Sequence, residues 1–290
     1  MGAFACAMFF FISGFGLLCQ YKNKENYLES FIRKRFSKIL VPAIIVSGIY
    51  LIFKFLLYDD YTVSSVFFSS IEGHTPIVDN SWYIIELIVL YLMFYLTFRM
   101  YDFLMVKKNL LIIYPIMVLF VLSLLLVVFF VFINWGSNWY ISTLAFPLGC
   151  YVASEKDKIA SFINKYKICF ILVFSVIIIV STYYSKILNV LHLEIFDITL
   201  IKTILNIISN LLFCLLIYSL SCFFIVDNRI ISFLSSISYE LYMIHGLFIA
   251  LFSKIAPINY DFLRILAILL CSISSAYLLN ILNKRLLIKK

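Results

Sequence analysis

The chain has 290 residues, of which 64% are hydrophobic and 13% are charged. Soluble globular domains carry about 25% charged residues, so this composition excludes an ordinary soluble protein and indicates an integral membrane protein. The net charge of +8 would suit nucleic acid in a soluble chain, but in a membrane chain it reports on loop topology, and we expect no nucleic-acid partner.

The hydropathy pattern predicts nine membrane spans, because a hydrocarbon core of about 30 Å needs about 20 helical residues. The spans lie at residues 3–19, 39–57, 82–98, 110–133, 139–153, 168–184, 204–226, 231–252 and 262–283. The fifth span is short and the seventh is polar. The sequence therefore predicts an all-α polytopic membrane helical bundle, with residues 1–290 forming a single integral membrane domain.

A basic segment follows the first span and carries six of the 23 Lys and Arg residues. At about 100° per residue, a helix over residues 28–39 would have one apolar face, made of Leu28, Phe31, Ile32, Phe36 and Ile39. Arg35 falls in the middle of that face, whereas Arg33, Lys34 and Lys38 fall off it. A cation on the buried side of a helix is costly unless it meets a counter-charge or a ligand, so Arg35 is the first functional candidate.

The third span opens with Trp82, and Glu86 follows one turn later on the same face. Trp82 has the character of an interfacial anchor, whereas a carboxylate inside a membrane span is a functional candidate by default. The acidic loop before this span has two interpretations, a solvated loop or a lid that binds the acceptor. The loop holds Asp59, Asp60, Glu72, His74 and Asp79.

The late spans carry polar residues on defined faces. Asn206, Ser209 and Asn210 give the seventh span a polar face, which favours hydrogen bonding between helices over a cavity lining. In the eighth span, Ser238, Tyr242 and His245 fall on one side, and Glu240 points about 200° away from Ser238. If the span begins at Ile231, Glu240 is near mid-membrane; if it begins near Ser238, His245 is central.

The loops carry an uneven positive charge. When successive loops are assigned alternately to the two sides of the membrane, eighteen of the 23 Lys and Arg residues fall on one side. The positive-inside rule therefore places the Arg35 loop and the C-terminus in the cytoplasm. Nine spans then put Met1 outside, at the head of an apolar helix. We expect a further helix to precede it.

Four stretches resemble patterns of the acyltransferase 3 family of multi-pass membrane O-acyltransferases. They read FFFISGFGL, FIRKRFSKILVP, SWYIIELIVLY and ISYELYMIHGLFI. The resemblance implies ten spans in a bacterial cytoplasmic membrane. It also implies transfer of an acyl group, acetyl or succinyl, from cytoplasmic acyl-CoA to a hydroxyl of an extracytoplasmic polysaccharide or lipid-linked sugar.

The resemblance also implies roles for residues. We expect Arg33, Arg35 and Lys38 to bind the donor's phosphates, with Lys38 standing where the family more often has arginine. The catalytic candidates Glu86 and His245 come instead from their positions inside apolar spans, since none of His74, His192 and His245 matches the family's catalytic histidine. Five residues are expected to line the cavity, namely Ser13, Trp82, Ser238, Tyr239 and Tyr242.

The family's first span, with its catalytic arginine and histidine, has no counterpart in this chain. We therefore expect this form to be inactive unless a partner supplies that helix.

Two other interpretations remain open. A transporter or flippase for an envelope sugar precursor would use Glu86, Glu240 and His245 as a polar path, although no pair of interrupted helices supports it. The chain could also be an inactive remnant or a partner subunit. The seven cysteines lie in or beside apolar spans without a CxxC pair, and no cluster has metal-ligand spacing, so we expect no metal and no bound cofactor besides acyl-CoA as co-substrate.

Overall fold

The structure is a computed structural model that describes residues 2–57, 78, 82–105, 111–190, 196–224, 228–254 and 261–288. Within these ranges the chain forms ten α-helices and one 3₁₀ turn, Ser137–Trp139, and no β-strand. The helices are α1 (Gly2–Asn23), α2 (Phe31–Leu57), α3 (Trp82–Met105), α4 (Ile113–Phe132), α5 (Ala145–Ser154), α6 (Lys156–Lys165), α7 (Lys167–Val190), α8 (Phe196–Ser221), α9 (Arg229–Lys254) and α10 (Asp261–Ile288). The prediction of an all-α polytopic bundle is confirmed.

Seven of the described helices, α1 to α4 and α8 to α10, are long and apolar enough to cross a membrane. Helix α6 and the first part of α7 meet at 96° and make an eighth span if the pair counts as one. The fifth expected span is instead the 3₁₀ turn followed by the ten-residue α5. At 1.5 Å per residue α5 is about 15 Å long, half of a hydrocarbon core.

Helix α4 shows how these helices meet lipid. Besides Pro115, its buried residues form one stripe at helical spacing, Ile116, Leu119, Ser123, Val127 and Phe130. The opposite face is also apolar, and Val118, Val121 and Leu125 are 50–59% exposed. A helix that is apolar on both its buried and its exposed face is suited to face hydrocarbon.

The chain forms two compact units. Unit 1 comprises Met1–Ser30 and Glu86–Ile225, and unit 2 comprises Phe31–Ile85 and Val226–Lys290. Helix α3 therefore begins in unit 2 and continues in unit 1.

In unit 1, α1 and α5 cross with their backbones in close contact. A Cβ atom added to Gly14 would overlap the carbonyl oxygen of Phe146, and one added to Gly149 would overlap the carbonyl oxygen of Phe11. The Cys150 thiol donates a 3.3 Å hydrogen bond to the Gly14 carbonyl. Such an approach requires small residues on both helices, and it fixes the start of α5 against α1.

In unit 2, α9 and α10 form a helical hairpin, and both contact α2. Two tyrosines hydrogen-bond to backbone carbonyls across this unit. The Tyr239 hydroxyl donates to the Ile39 carbonyl at 2.9 Å, and the Tyr50 hydroxyl donates to the Met243 carbonyl at 3.3 Å.

The basic segment differs from the expected helix over residues 28–39. Helix α2 begins at Phe31, and Asn26 has a left-handed backbone with φ of 51° in the turns before it. Leu28 is buried but precedes the helix, while Ile32 is 43% exposed. The apolar face of α2 is therefore narrower than the periodicity predicted.

Candidate functional site

Glu86 is a buried carboxylate one turn into α3, which begins at Trp82 as the sequence predicts. The side chain is 1% exposed. Its Oε1 atom accepts a 2.5 Å hydrogen bond from the Thr143 hydroxyl, and its Oε2 atom has no hydrogen-bond partner among the described residues. Buried carboxylate oxygens are normally hydrogen-bonded, so the lack of a partner at Oε2 makes Glu86 a candidate site residue.

The turn before α5 holds Thr143 in place through bonds to two other helices. The Ser142 hydroxyl donates to the Ala3 carbonyl of α1 at 3.1 Å. The Asn210 amide of α8 donates to the Ile141 carbonyl at 2.9 Å. Asn210 thus shows the hydrogen bonding between chain segments that the polar face of the seventh span predicted.

His245 lies in the second half of α9. Because α9 begins at Arg229, Glu240 is near the middle of this 26-residue helix. The Nδ1 atom of His245 lies 2.7 Å from the Tyr242 carbonyl oxygen. A carbonyl oxygen only accepts, so this contact fits the tautomer of His245 that carries its hydrogen on Nδ1.

A series of aromatic ring contacts in unit 2 connects His245 with the start of α3. The Tyr242 ring lies 5.9 Å from the imidazole and makes an edge-on contact with Tyr83, with centroids 5.2 Å apart. Trp82 packs edge-on against Tyr83 at 6.3 Å. The structure therefore brings the predicted residues Trp82, Tyr242 and His245 into one cluster, linked by Tyr83, which sequence reasoning missed.

Glu240 is a second buried carboxylate, 5% exposed. Its Oε1 atom accepts hydrogen bonds from the amides of Asn280 at 3.2 Å and Asn283 at 3.0 Å, both on α10. The Asn280 amide also donates to the Ser236 carbonyl at 2.9 Å. Glu240 thus ties α9 to α10, in contrast to the open oxygen of Glu86.

The predicted donor-binding cations lie on the first two turns of α2. Arg35 and Lys38 are three residues apart and so share a side of the helix, whereas Arg33 points to the opposite side. Arg35 is half-buried, and Arg33 and Lys38 are exposed. This agrees with the expected inward position of Arg35.

The other candidate residues have these positions. Ser13 is half-buried in α1, and the Ser238 hydroxyl donates to the Ser235 carbonyl of its own helix at 3.0 Å. Tyr239 is half-buried, with its hydroxyl on the Ile39 carbonyl. The residues of the acidic loop lie outside the described ranges, as does His192. Within those ranges no three His, Cys, Asp or Glu side chains are grouped to hold a metal ion.

A family model described as an acyltransferase domain, that of the acyltransferase 3 family, matches residues 1–281. The match covers nearly the whole chain. The chain belongs to the acyltransferase 3 family. It is therefore a multi-pass membrane acyltransferase. No curated protein and no solved structure matches it.

The fold gives a physical role to several residues of the stretches that resemble this acyltransferase family. Gly14 is the point where α1 crosses α5, and Tyr239 hydrogen-bonds α9 to α2. The two catalytic candidates of the acyltransferase lie in different units, Glu86 in unit 1 and His245 in unit 2. Thr143, which orients Glu86, gave no signal in the sequence beyond being a polar residue in an apolar segment.

Proposed function

We propose that this acyltransferase moves an acetyl or succinyl group from acyl-CoA in the cytoplasm to a hydroxyl of an envelope polysaccharide or lipid-linked sugar on the other side of a bacterial cytoplasmic membrane. Family membership supports acyl transfer in general. The observation that carries the proposal is the buried Glu86 carboxylate, which has one oxygen bound by Thr143 and the other without a partner among the described residues.

The reaction needs a group that removes a proton from the acceptor. As the sugar hydroxyl oxygen attacks the thioester carbon, its proton passes to a base, the carbon–sulfur bond breaks, and the coenzyme A thiolate leaves and takes up a proton. General bases contribute about 10²- to 10⁴-fold to such steps. Oε2 of Glu86 and the imidazole of His245 are the two groups that we propose for this role.

The donor is proposed to bind through its phosphates. Arg35 offers a planar fork that can bind phosphate in bidentate fashion, and Lys38 adds a point charge on the same side of α2. The uneven distribution of loop cations supports a cytoplasmic donor and a cytoplasmic C-terminus.

The assignment of the base is tested with labelled acyl-CoA. Inverted membrane vesicles would be prepared from a bacterium that makes the acceptor, lacks its own acyltransferase and expresses the chain. Incorporation of the labelled acyl group would be compared for Glu86→Gln, His245→Gln and the control Glu240→Gln, which changes a buried carboxylate already held by two amides. We expect loss of about 100-fold or more when the base is removed, and a change of less than about threefold in the control. Incorporation at the control level in both test variants would refute the two assignments.

The donor contact is tested in the same vesicles. Arg35→Ala is expected to raise the KM for acyl-CoA by about tenfold or more, because it removes a charge-assisted contact to phosphate. The matched control is Lys34→Ala, since Lys34 is an exposed cation on the same helix. Counterflow of a lipid-linked sugar without any acyl incorporation would instead identify a transporter or flippase.

A further inference from the structure

A cavity of about 580 Å³ lies within unit 1 at the end of α1. It is bounded by the last turn of α1, the turns over residues 24–30, the last turns of α3 and Ile112. None of the residues proposed above as a base or for donor binding lines it. Its volume lies within the range of about 300–1,000 Å³ that is usual for small-molecule sites, so a ligand other than the substrates has room there.

The charges of the described lining leave an excess of one cation. Lys22, Lys24 and Arg99 carry positive charge, and Glu29 and Asp102 carry negative charge. Lys24 and Arg99 are exposed at the cavity wall, and neither forms an ion pair with the part of the chain that the structure describes. A ligand with a single negative charge would balance this lining, because cations without a neighbouring carboxylate attract anions.

The carboxylates of the cavity favour a ligand that also has hydrogen-bond donors. Asp102 already accepts a hydrogen bond from the Tyr21 hydroxyl. Glu29 is exposed at the wall and forms no ion pair with another described residue. An ionised carboxylate only accepts, so a hydroxyl group of the ligand suits Glu29, whereas a second phosphate oxygen does not. The lining therefore fits one anionic group with hydroxyl groups beside it.

An exposed apolar stripe on α3 leads to this cavity. Leu92, Leu96, Met100 and Phe103 follow one another at helical spacing and are 39–68% exposed. Arg99 lies one turn before Phe103, so it borders both the stripe and the cavity that it lines. Contiguous exposed apolar residues next to polar ones are typical of a surface that contacts lipid. A ligand with an anionic headgroup and apolar chains would match the cavity and the stripe together.

We infer that this cavity binds the headgroup of an anionic membrane phospholipid, phosphatidylglycerol, with the phosphodiester on Arg99 and Lys24, the glycerol hydroxyls towards Glu29 and the acyl chains along the stripe of α3. This headgroup joins one negative charge to two hydroxyl donors. The ammonium of phosphatidylethanolamine would instead add a positive charge to a lining that already has a surplus cation.

The position of the cavity along the helices supports a lipid ligand. The distribution of loop cations supports a cytoplasmic position for the ends of α1 and α3. Basic clusters directly beside a membrane span on that side attract anionic lipids. The inference concerns a bound lipid of the bilayer, and it depends on neither the acyl donor nor the acceptor proposed above.

Binding is tested by native mass spectrometry of the full chain in a non-ionic detergent. Wild-type chain and one variant would be mixed in equal amounts and titrated with phosphatidylglycerol, so that both Kd values come from the same solution. Arg99→Ala and Lys24→Ala are each expected to raise Kd by about tenfold or more, because each removes a charge-assisted hydrogen bond to phosphate. Arg99→Lys, which keeps the charge, should stay within about fivefold of wild type.

The control for charge is Lys156→Ala, which removes an exposed cation of the same unit that does not line the cavity. It should leave Kd within about twofold, because an exposed charge away from the site contributes little. An equal rise of Kd in Lys156→Ala and Arg99→Ala would show only a general attraction of anionic lipid to a basic surface. That result, or a wild-type Kd in the Arg99 and Lys24 variants, would overturn the inference.

The stripe is tested by making it polar. Met100→Asn is expected to raise Kd by about threefold or more, because it removes apolar surface from the acyl chains. The matched control is Leu125→Asn, since Leu125 is a 59% exposed apolar residue of α4 in the same unit. A rise of Kd that is the same in both variants would contradict the assigned path of the chains.

Two other ligands distinguish the lipid from related anions. Phosphatidylethanolamine with the same acyl chains is expected to bind about fivefold more weakly or worse, because its headgroup has no net charge. Inorganic phosphate in large excess should leave the bound lipid in place. Equal binding of phosphatidylethanolamine, or displacement of the lipid by phosphate in an Arg99-dependent manner, would overturn the assignment, the latter in favour of a site for free phosphate. Acyl transfer does not enter these measurements, so their failure would leave the proposed function standing.

Discussion

The crossing of α1 and α5 predicts a large effect for one methyl group. A Cβ atom added to Gly14 would overlap the Phe146 carbonyl oxygen, and it would lie 3.0 Å from the Phe146 carbonyl carbon and 3.2 Å from the Cys150 sulfur. Favourable contacts between carbon atoms lie at about 3.5–4.0 Å. The overlap with the carbonyl oxygen is the tightest of the three, so Gly14→Ala requires the two helices to separate by about 1 Å or more at this point.

The energetic cost of Gly14→Ala depends on how easily the Phe146 backbone can move away from the added methyl group. Overpacking a closely packed contact costs about 1–3 kcal/mol, and the upper part of that range applies because a backbone carbonyl cannot rotate away as a side chain can. Replacing glycine by alanine in a helix interior stabilises the helix by about 0.5–1 kcal/mol, which offsets part of this cost. We therefore expect Gly14→Ala to lower the free energy of unfolding by about 2 kcal/mol, or about 30-fold in the folded-to-unfolded ratio.

The assay is unfolding of the full chain in mixed micelles, followed by circular dichroism during titration with a denaturing detergent. The matched control is Gly16→Ala, because a Cβ atom added at Gly16 has no atom within 4 Å. That control should be neutral or stabilising by up to about 1 kcal/mol. Gly149→Ala should behave as Gly14→Ala does, since its Cβ would lie 2.9 Å from the Phe11 carbonyl carbon.

The double substitution adds a stricter test. Once the helices have separated for one methyl group, the second meets less resistance, so the two effects should be less than additive. Equal unfolding midpoints for Gly14→Ala and Gly16→Ala would refute the close crossing. Strict additivity of the two crossing variants would show that they act at separate contacts.

Two further predictions concern the buried carboxylates. Thr143→Val keeps the shape of the side chain but removes the only hydrogen bond to Glu86 found among the described residues, so it should lower the free energy of unfolding by about 1–3 kcal/mol, and Thr143→Ser should restore most of the loss. Asn283→Leu removes a 3.0 Å donor from Glu240 and should cost a similar amount, whereas Lys284→Leu at the exposed next position should change stability by less than about 0.5 kcal/mol. Both are measured by the same detergent titration, and equal midpoints for a test variant and its control would contradict the corresponding hydrogen bond.

The parts of the fold that follow from local sequence were predicted. Composition and hydropathy identified a polytopic helical bundle, and the Trp82 position predicted the start of α3 and the place of Glu86 one turn into it. These features depend on the transfer of apolar residues into hydrocarbon, which acts residue by residue. The fifth span was the exception, because its apolar composition does not reveal that residues before Ala145 form a 3₁₀ turn.

The contacts that build the candidate site could not be predicted in the same way. Gly14 and Gly149 are distant in sequence, and each alone is an ordinary glycine in an apolar helix. Thr143 was likewise one hydroxyl in an apolar stretch, and only folding brings it to Glu86. Pairings of this kind carry no periodicity, so a single sequence holds no signal for them.

Glu86 and Glu240 show how the same side chain takes different roles inside a membrane protein. Both are buried, and each would be costly in hydrocarbon without compensation. At Glu240, two amides of α10 hydrogen-bond one oxygen, so the carboxylate joins two helices and its loss should appear in the unfolding titration. At Glu86, the fold holds one oxygen with a single hydroxyl and leaves the other without a partner among the described residues, so Gln in its place keeps an oxygen for that hydroxyl and should change stability little. Glu86→Gln should therefore lower acyl transfer more than the free energy of unfolding, and Glu240→Gln should do the reverse. Measuring both quantities in both variants tests whether the two carboxylates have these different roles.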